Sequence, residues 1–408
     1  MNVIEHAIES NPFIQSCPST TFTVLFNDHD RWNDQSIEFI LALIKYPNWK
    51  PKTDLFQYVR PFLLDRIRSD PKCFFVFDAS TEGFSPFQDT FFFDILYHNC
   101  KKYKVPANKI IFTSSNMKDE KNIRKYNVQH NIKKSITVFP FLSFRKMIKD
   151  LIEIEYGKKD GGQHIQERIN KTKELFKDRF VLSLSRVNRP YRSLGTYLLA
   201  TSPIAEYASI SHNKLSNGEI RSLVYDFDLW DESVKDWAGQ LPMVIDTGDF
   251  QTNHALSVNS HLHDSTLFQI VNETHVDNFD DTSLFFSEKT FRSMVHFQPF
   301  LIYGQRYCNT RLKELGFQIF DNLFDYSFDS VKDNKKRYLA LLESASSAVY
   351  KLETMTKEEQ IAWKFSCRKK LMHNFNLVMG DKFESEKFKD LVLSVRKIAY
   401  AKINRKKT

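Results

Sequence analysis

Short β-branched and aromatic runs alternate with amphipathic stretches along most of this chain, and that alternation restricts its fold more than any other feature. Residues 21–26 (TFTVLF), 73–78 (CFFVFD), 110–114 (IIFTS) and 136–139 (ITVF) are apolar runs bounded by Asn, Asp, Ser or Pro, the mark of buried strands. Between them lie two helical stretches. One is 54–69, which Pro61 must break or kink; the other is 88–103, where Phe92, Ile95, Leu96 and Tyr103 recur at helical spacing. Beyond a polar stretch at 157–170 the pattern resumes with strand 179–184, helix 191–200, strand 266–271, strand 284–287, helix 289–297, strand 299–304 and helix 310–315, closed by Gly316. Strands that take turns with helices need crossover connections, so the expected class is α/β with largely parallel sheets.

The polar stretch holds Gly161–Gly162 and reads as a linker. The expected organisation is an N-terminal α/β lobe over 1–160, a C-terminal α/β lobe over 171–345 and a basic helical tail over 346–408. Two Rossmann-like lobes usually hold a ligand in the cleft between them, at the carboxyl ends of strands. The chain has 408 residues, enough for two real cores, and its 37 Phe exclude a disordered or low-complexity protein. Cys17, Cys73, Cys100, Cys308 and Cys367 show no C-x-x-C spacing, so neither a disulfide framework nor a zinc ribbon is expected. The N-terminus has no secretory pattern and no run of 18 apolar residues exists, which predicts a cytoplasmic protein without a membrane span.

The net charge of +8 is concentrated rather than spread. From Lys351 to Thr408 there are 15 Lys and Arg against 7 Asp and Glu, and the rest of the chain balances at 43 and 43. Arg368, Lys369 and Lys370 form one cluster; Arg396, Lys397, Lys402, Arg405, Lys406 and Lys407 form another with no acidic neighbour after Asp390. A solvated helical tail explains this, and so does an arm that holds a polyanion such as DNA.

The densest chemical signal lies in 266–304. Strand 266–271 delivers Asn272 and Glu273 to its carboxyl end, and strand 284–287 delivers Glu288 and Lys289 to the start of a helix. A helix N-terminus with a Lys beside it suits a phosphate, and a carboxylate beside that suits ribose hydroxyls. After strand 179–184 comes a turn with Arg186, Arg189 and Arg192, whose planar guanidinium groups suit a diphosphate. The ordinary alternatives are a charged first helical turn and surface arginines.

The string N-E-T, then S-E-K-T-F-R-S-M, then Q-P-F-L-I-Y-G resembles the donor-site segment of the α1,3-fucosyltransferases, a GT-B fold family. It resembles more closely a group of fucosyltransferase-like proteins encoded by tailed phages, which read T-E-K-T-F-K-P-I, Q-P-F-I, L-x-x-L-G-F-K-T-F and D-E-S-Y-D. Here R-L-K-E-L-G-F-Q-I-F stands at 311–320 and D-Y-S-F-D at 325–329, with Tyr326 in place of the Glu of the phage pattern. The Arg-bearing turn at 185–192 is similar to their L-N-R-R-P-R-P-H-R. The resemblance implies a GT-B glycosyltransferase, inverting, using a UDP- or GDP-linked sugar as co-substrate and no resident cofactor. Arg186, Arg189, Arg192, Asn272, Glu273, Glu288 and Lys289 would bind that donor. Tailed phages often glycosylate hydroxymethylated bases of their own DNA, which together with the charge points to a 5-hydroxymethylpyrimidine acceptor in host cytoplasm. Arg368, Lys369, Lys370, Arg396, Lys397, Arg405, Lys406 and Lys407 would contact the DNA.

An inverting transferase needs a base on the acceptor side. Glu82 and Asp78, at the end of strand 73–78, are the candidates; Asp28, His29 and Asp30 form a second set. Asp226-Phe-Asp228 matches the metal–nucleotide handle of another glycosyltransferase fold but lacks a preceding strand and reads as an acidic loop. His254, His261, His263 and Asp264 raise a metal site, since His-x-His on a strand aligns both rings, yet nothing in the sequence completes it and no metal is expected. Rival readings are transfer to lipopolysaccharide, another glycan or protein, a non-enzymatic nucleic-acid-binding protein, and a metal-dependent hydrolase.

Overall fold

The computed structural model describes residues 20–24, 37–43, 53–56, 59, 61–79, 83, 91–157, 160–185, 187–245, 260–276, 282–380 and, between 390 and 399, all but 392 and 396. Two compact units form. Unit 1 comprises 1–143, 279–284 and 381–408, and unit 2 comprises 144–278 and 285–380.

Unit 1 carries strands β1 (Thr20–Val24), β2 (Ile37–Leu43), β3 (Cys73–Ala79), β4 (Ile110–Ser114) and β5 (Thr137–Pro140) in the order β1-β2-β3-β4-β5. The edge strand β1 runs antiparallel to β2, and the other pairs are parallel. Helix α1 (Pro61–Ser69) links β2 to β3, α2 (Phe92–Lys102) links β3 to β4, and α3 (Asp119–Gln129) links β4 to β5. Pro61 opens α1 rather than kinking a longer helix, because the first helical position has no hydrogen bond to lose. Strands that follow one another in space as in sequence, with right-handed crossovers, put their helices on a single face. One core accordingly joins Phe75 and Phe77 of β3 and Phe112 of β4 to Leu63, Phe92, Phe93 and Tyr126. The residues pointing the other way, Phe74, Val76 and Ile111, are buried too, as in parallel sheets generally.

In unit 2, α4 (Ser143–Tyr156) and α5 (Gly161–Leu175) precede β6 (Val181–Ser185), α6 (Pro190–Ala200) and β7 (Ala208–His212). Next come α7 (Asn217–Phe227), α8 (Asp231–Gly239), α9 (Ser260–Asp264), β8 (Phe268–Asn272), α10 (Glu288–Val295), β9 (Phe300–Tyr303) and α11 (Cys308–Glu314). The unit closes with α12 (Asn334–Glu353), α13 (Lys357–Phe365) and α14 (Arg368–Met379). Its sheet is wholly parallel in the order β7-β6-β8-β9. The chain steps outward from β6 to β7 and then returns to the other side, so strand order reverses between β6 and β8.

Three expectations are corrected. Within the stretch expected as a linker, residues 160–170 open a helix: Asp160 caps α5 by accepting the Gly162 N–H at 3.0 Å, and His164, Ile165, Arg168 and Thr172 bury one face. The polar character of that buried face hid its periodicity. Gly161 packs where an added Cβ would stand 2.9 Å from Met372 and 3.0 Å from Phe375 of α14. Residues 284–287 join no sheet, although Leu284, Phe285 and Phe286 are buried. Side chains take the place of a ladder, with Phe285 N donating to Gln305 Oε1 at 3.0 Å and Ser287 N to Glu273 Oε1 at 3.1 Å. Residues 346–380 pack within unit 2 through buried Leu352, Trp363, Leu371 and Phe375. Among residues 390–399, Leu391, Val395 and Ala399 are buried at intervals of four, one face of a helix belonging to unit 1. No helix among the described residues is long and apolar enough to cross a membrane.

Candidate functional site

Where strand order reverses in a parallel sheet, two consecutive crossovers leave in opposite directions and a crevice opens at the strands' carboxyl ends. In unit 2 that place lies between β6 and β8. Their backbones pair only at Val181–Phe268 and Leu182–Gln269. Beyond that, Asn272 spans the gap, its Nδ2 donating to Ser183 Oγ at 3.1 Å and Ser185 Oγ at 2.9 Å. The same amide faces Gly195 of α6 and Tyr338 of α12: a Cβ on Gly195 would lie 2.6 Å from Tyr338 Cε2 and 3.0 Å from Asn272 Oδ1. Asn272 is fully buried, and its two bonds bridge the strands where their backbone ladder has ended.

The next residue organises the rim. Glu273 is buried, and its Oε1 accepts from Ser287 N at 3.1 Å and Thr290 Oγ1 at 2.6 Å, while Oε2 accepts from Thr274 N at 3.0 Å. Ser287 caps α10, accepting from Lys289 N at 3.4 Å. The amino end of α10 is therefore occupied by a carboxylate and a hydroxyl of the chain itself. The chain thus takes the Ser287 and Lys289 N–H groups itself, so a phosphate seated at this end would draw on neighbouring side chains as well.

Those side chains converge. Arg192 is buried on α6, donating through Nε to the Glu273 carbonyl at 3.3 Å and through an Nη to Thr274 Oγ1 at 2.5 Å. Burial lowers its pKa to about 10, against the pull of Glu273, so it stays a cation at neutral pH. Lys289 Nζ meets Glu288 Oε1 at 2.6 Å. Burial also lowers the Lys289 pKa, with Arg192 adding to the effect and Glu288 and Glu273 opposing it. Burial pushes Glu288 up, but Lys289 and Arg292 more than offset this, and its carboxyl ends below the usual range. Arg189 caps α6 through its backbone only and leaves its side chain exposed, within electrostatic reach of Arg192 and His275.

Of the seven residues expected to bind a donor, Arg189, Arg192, Asn272, Glu273, Glu288 and Lys289 thus come together at the strand-order reversal, and Arg186 lies outside the described residues. The sequence reading missed His275, half-buried beside Phe285 with ring centroids 5.2 Å apart. It stands three residues beyond Asn272, and this proximity was the only available signal. Ser193 and His212 were missed as well. His212 Nδ1 donates to the Asn213 carbonyl at 2.7 Å and its Nε2 accepts from Ser193 Oγ at 3.1 Å, but both residues are sealed from solvent and brace β7 against α6.

The other singled-out residues fall elsewhere. Asp78 lies in β3, its side chain outside the described residues, as are Glu82, Asp28, His29, Asp30 and His254. Tyr326, at the position of the phage Glu, is a strut whose hydroxyl donates to the Phe300 carbonyl at 2.5 Å. Asp226 and Asp228 lie at the end of α7, both exposed, so the expected acidic loop is a helix terminus. His261 and His263 sit on α9 rather than a strand and are divided between solvent and core. His263 stacks on His296 at 4.4 Å, and Asp264 pairs with Arg168 at 2.9 Å.

A cavity of about 850 Å³ in unit 2 is lined by Arg368, Lys369 and Lys370 with Asn322, His373 and Asn376. Lys370 is committed to the Ile319 carbonyl and Asp321, whereas Arg368 and Lys369 are exposed. Lys397 is exposed, and Arg396, Arg405, Lys406 and Lys407 lie outside the described residues. In comparisons with family models, curated proteins and solved structures, nothing matches this chain.

Proposed function

We propose that this chain is a nucleotide-sugar-dependent glycosyltransferase of GT-B type, with unit 2 as the donor lobe and unit 1 as the acceptor lobe. The observation that carries the reading is the meeting of Arg189, Arg192, Glu273, Glu288 and Lys289 at the strand-order reversal between β6 and β8. Three cations there suit a diphosphate, whose charge grows when the sugar leaves, and in this reading Glu288 accepts from a ribose hydroxyl once Lys289 turns to phosphate. Arg192 is positioned before any ligand arrives, because Glu273 and Thr274 hold its guanidinium. The donor sugar is UDP- or GDP-linked, and the proposed catalytic bases remain Glu82 and Asp78.

The acceptor we propose is a 5-hydroxymethylpyrimidine in DNA. Supporting it are the phage resemblance, the basic excess after residue 350 and the exposed Arg368 and Lys369 beside a large cavity. Calorimetry with UDP and GDP tests the donor site: one of them should bind, and Arg189→Ala and Lys289→Ala should each weaken it by about tenfold or more, since a hydrogen bond to a charged group contributes roughly 1.5–3 kcal/mol. Absence of binding by either nucleotide defeats the reading. Incubating nucleotide sugars with hydroxymethylated and unmodified DNA, then digesting to nucleosides for mass spectrometry, tests the acceptor. A mass gain on lipopolysaccharide or protein but not on DNA would retain the transferase and replace its acceptor.

A further inference from the structure

His275 ends the run Asn272-Glu273-Thr274-His275 that leaves β8. The Arg192 guanidinium lies along the two residues before it, on the Glu273 carbonyl and the Thr274 hydroxyl. Arg189 acts on it from the cap of the same helix, α6. On another side Phe285 meets the imidazole edge-on, with ring planes at 82°. The ring is therefore half-buried against Phe285 and lies within the field of both guanidinium groups. By element, the charged groups acting on it are Arg189 and Arg192 from α6, and those in turn interacting with Arg192 are Glu273 from the end of β8 and Glu288 with Lys289 from α10. Burial first, then the two arginines, bring its pKa down to about 4, so the ring is neutral at physiological pH. Only the burial is permanent. An anion seated on Arg189 and Arg192 cancels their field at the imidazole and adds an attractive charge of its own.

We propose that His275 is an anion-binding residue of this crevice that takes up a proton when the diphosphate of a nucleotide sugar binds, coupling donor affinity to pH. The inference rests on the donor reading above. The proton comes from hydronium or a buffer acid, whose bond to it breaks as the N–H bond forms on the imidazole; no other bond is made or broken. The resulting imidazolium is a charge-assisted donor beside the two arginines, and affinity rises as pH falls from about 7.5 to about 5.5.

A nucleotide sugar is a suitable probe, because its diphosphate is esterified at both ends and has no group titrating near pH 6. Any proton exchanged then belongs to the protein. Calorimetry of UDP-glucose and GDP-mannose near pH 6, in buffers of differing ionisation enthalpy, should show net proton uptake for the sugar nucleotide that binds. In His275→Asn the uptake and the pH slope of affinity should vanish. In Arg189→Ala, an exposed change that leaves the core intact, uptake should shrink because the free imidazole has lost one of its two repelling cations. Binding without uptake in the wild type, or undiminished uptake in either variant, overturns the role of His275 and leaves the donor site standing. Failure of both sugar nucleotides to bind at any pH overturns the donor reading and this inference together.

Discussion

The two parallel sheets of this protein differ in one topological respect. Unit 1 advances β2-β3-β4-β5 in a single direction, so α1, α2 and α3 pack on one face and the carboxyl ends form an unbroken row. In unit 2 the order β7-β6-β8-β9 turns back on itself, which sends α6 and α10 to opposite faces and leaves a gap where β6 and β8 part. The interiors differ accordingly. Around β3 and β4 the core is a packed set of phenylalanines, with Phe75 and Phe77 only 4.7 Å apart and Phe92 and Phe112 4.8 Å apart. Around the end of β8 the buried residues are Asn272, Glu273 and Arg192, tied by hydrogen bonds. Among the described residues, apolar packing holds the first sheet together and a polar network holds open the end of the second.

That contrast can be broken by experiment. Phe75→Ala removes a ring in contact with Phe56 and Phe77 and should cost roughly 3–5 kcal/mol in denaturant unfolding, without altering the affinity of folded protein for a nucleoside diphosphate. A matching loss of nucleotide affinity would show that the two sheets do not divide structure and binding as described. Gly195→Ala should cost less, about 1–3 kcal/mol, since its Cβ meets the buried Tyr338 ring and the Asn272 amide, yet it should also weaken nucleotide binding by moving the floor of the crevice. Stability falling with affinity intact would mean that the Asn272 strut does not shape the site.

A smaller effect concerns pH. Lys364 of α13 is buried, donating to the His263 carbonyl at 2.7 Å and the Thr266 carbonyl at 2.8 Å, and burial lowers its pKa to about 7. The unfolded chain keeps an ordinary lysine, so from about pH 7 to pH 10 it binds a proton that the folded protein releases. Unit 2 should therefore gain stability as pH rises through that window, by up to about 1.4 kcal/mol per pH unit. Lys364→Met should flatten the slope in thermal unfolding, and an unchanged slope would assign it to other groups. The smallest expected effect is on the tail. Because Val395 and Ala399 are buried, the truncation is confined to 400–408, and it should reduce the salt dependence of DNA binding while leaving nucleotide affinity unchanged. A salt slope that does not move removes the terminal lysines from the DNA interface.

Much of the architecture was legible because local chemistry and tertiary placement agree. The run CFFVFDA is aromatic and β-branched and becomes a central strand, and Gly316 marks a helix end, whereas Pro61, expected to break or kink a helix over 54–69, begins one. Other elements were legible only in three dimensions. ASISH is a strand because β6 pairs with it, since its small residues have weak preference for any state. LFFS has a strand's composition but finds side-chain acceptors instead of a neighbouring strand. GGQHIQERIN is a helix whose buried face is polar, so hydrophobic periodicity could not announce it.

The sequence by itself determined the α/β class, through strand and helix periodicities that depend on near neighbours alone. It also placed Arg189, Arg192, Glu273, Glu288 and Lys289 at strand ends and first helical turns, where charged side chains can converge. Tertiary structure alone decided that they do so at a strand-order reversal, that Glu273 and Ser287 take the Ser287 and Lys289 N–H groups at the amino end of α10, and that His275 packs on Phe285 within the field of two arginines. Spacing along a chain sets which way a side chain points, while strand order and burial set what it meets, and those depend on residues more than eighty positions apart, as Arg192 and Glu273 are.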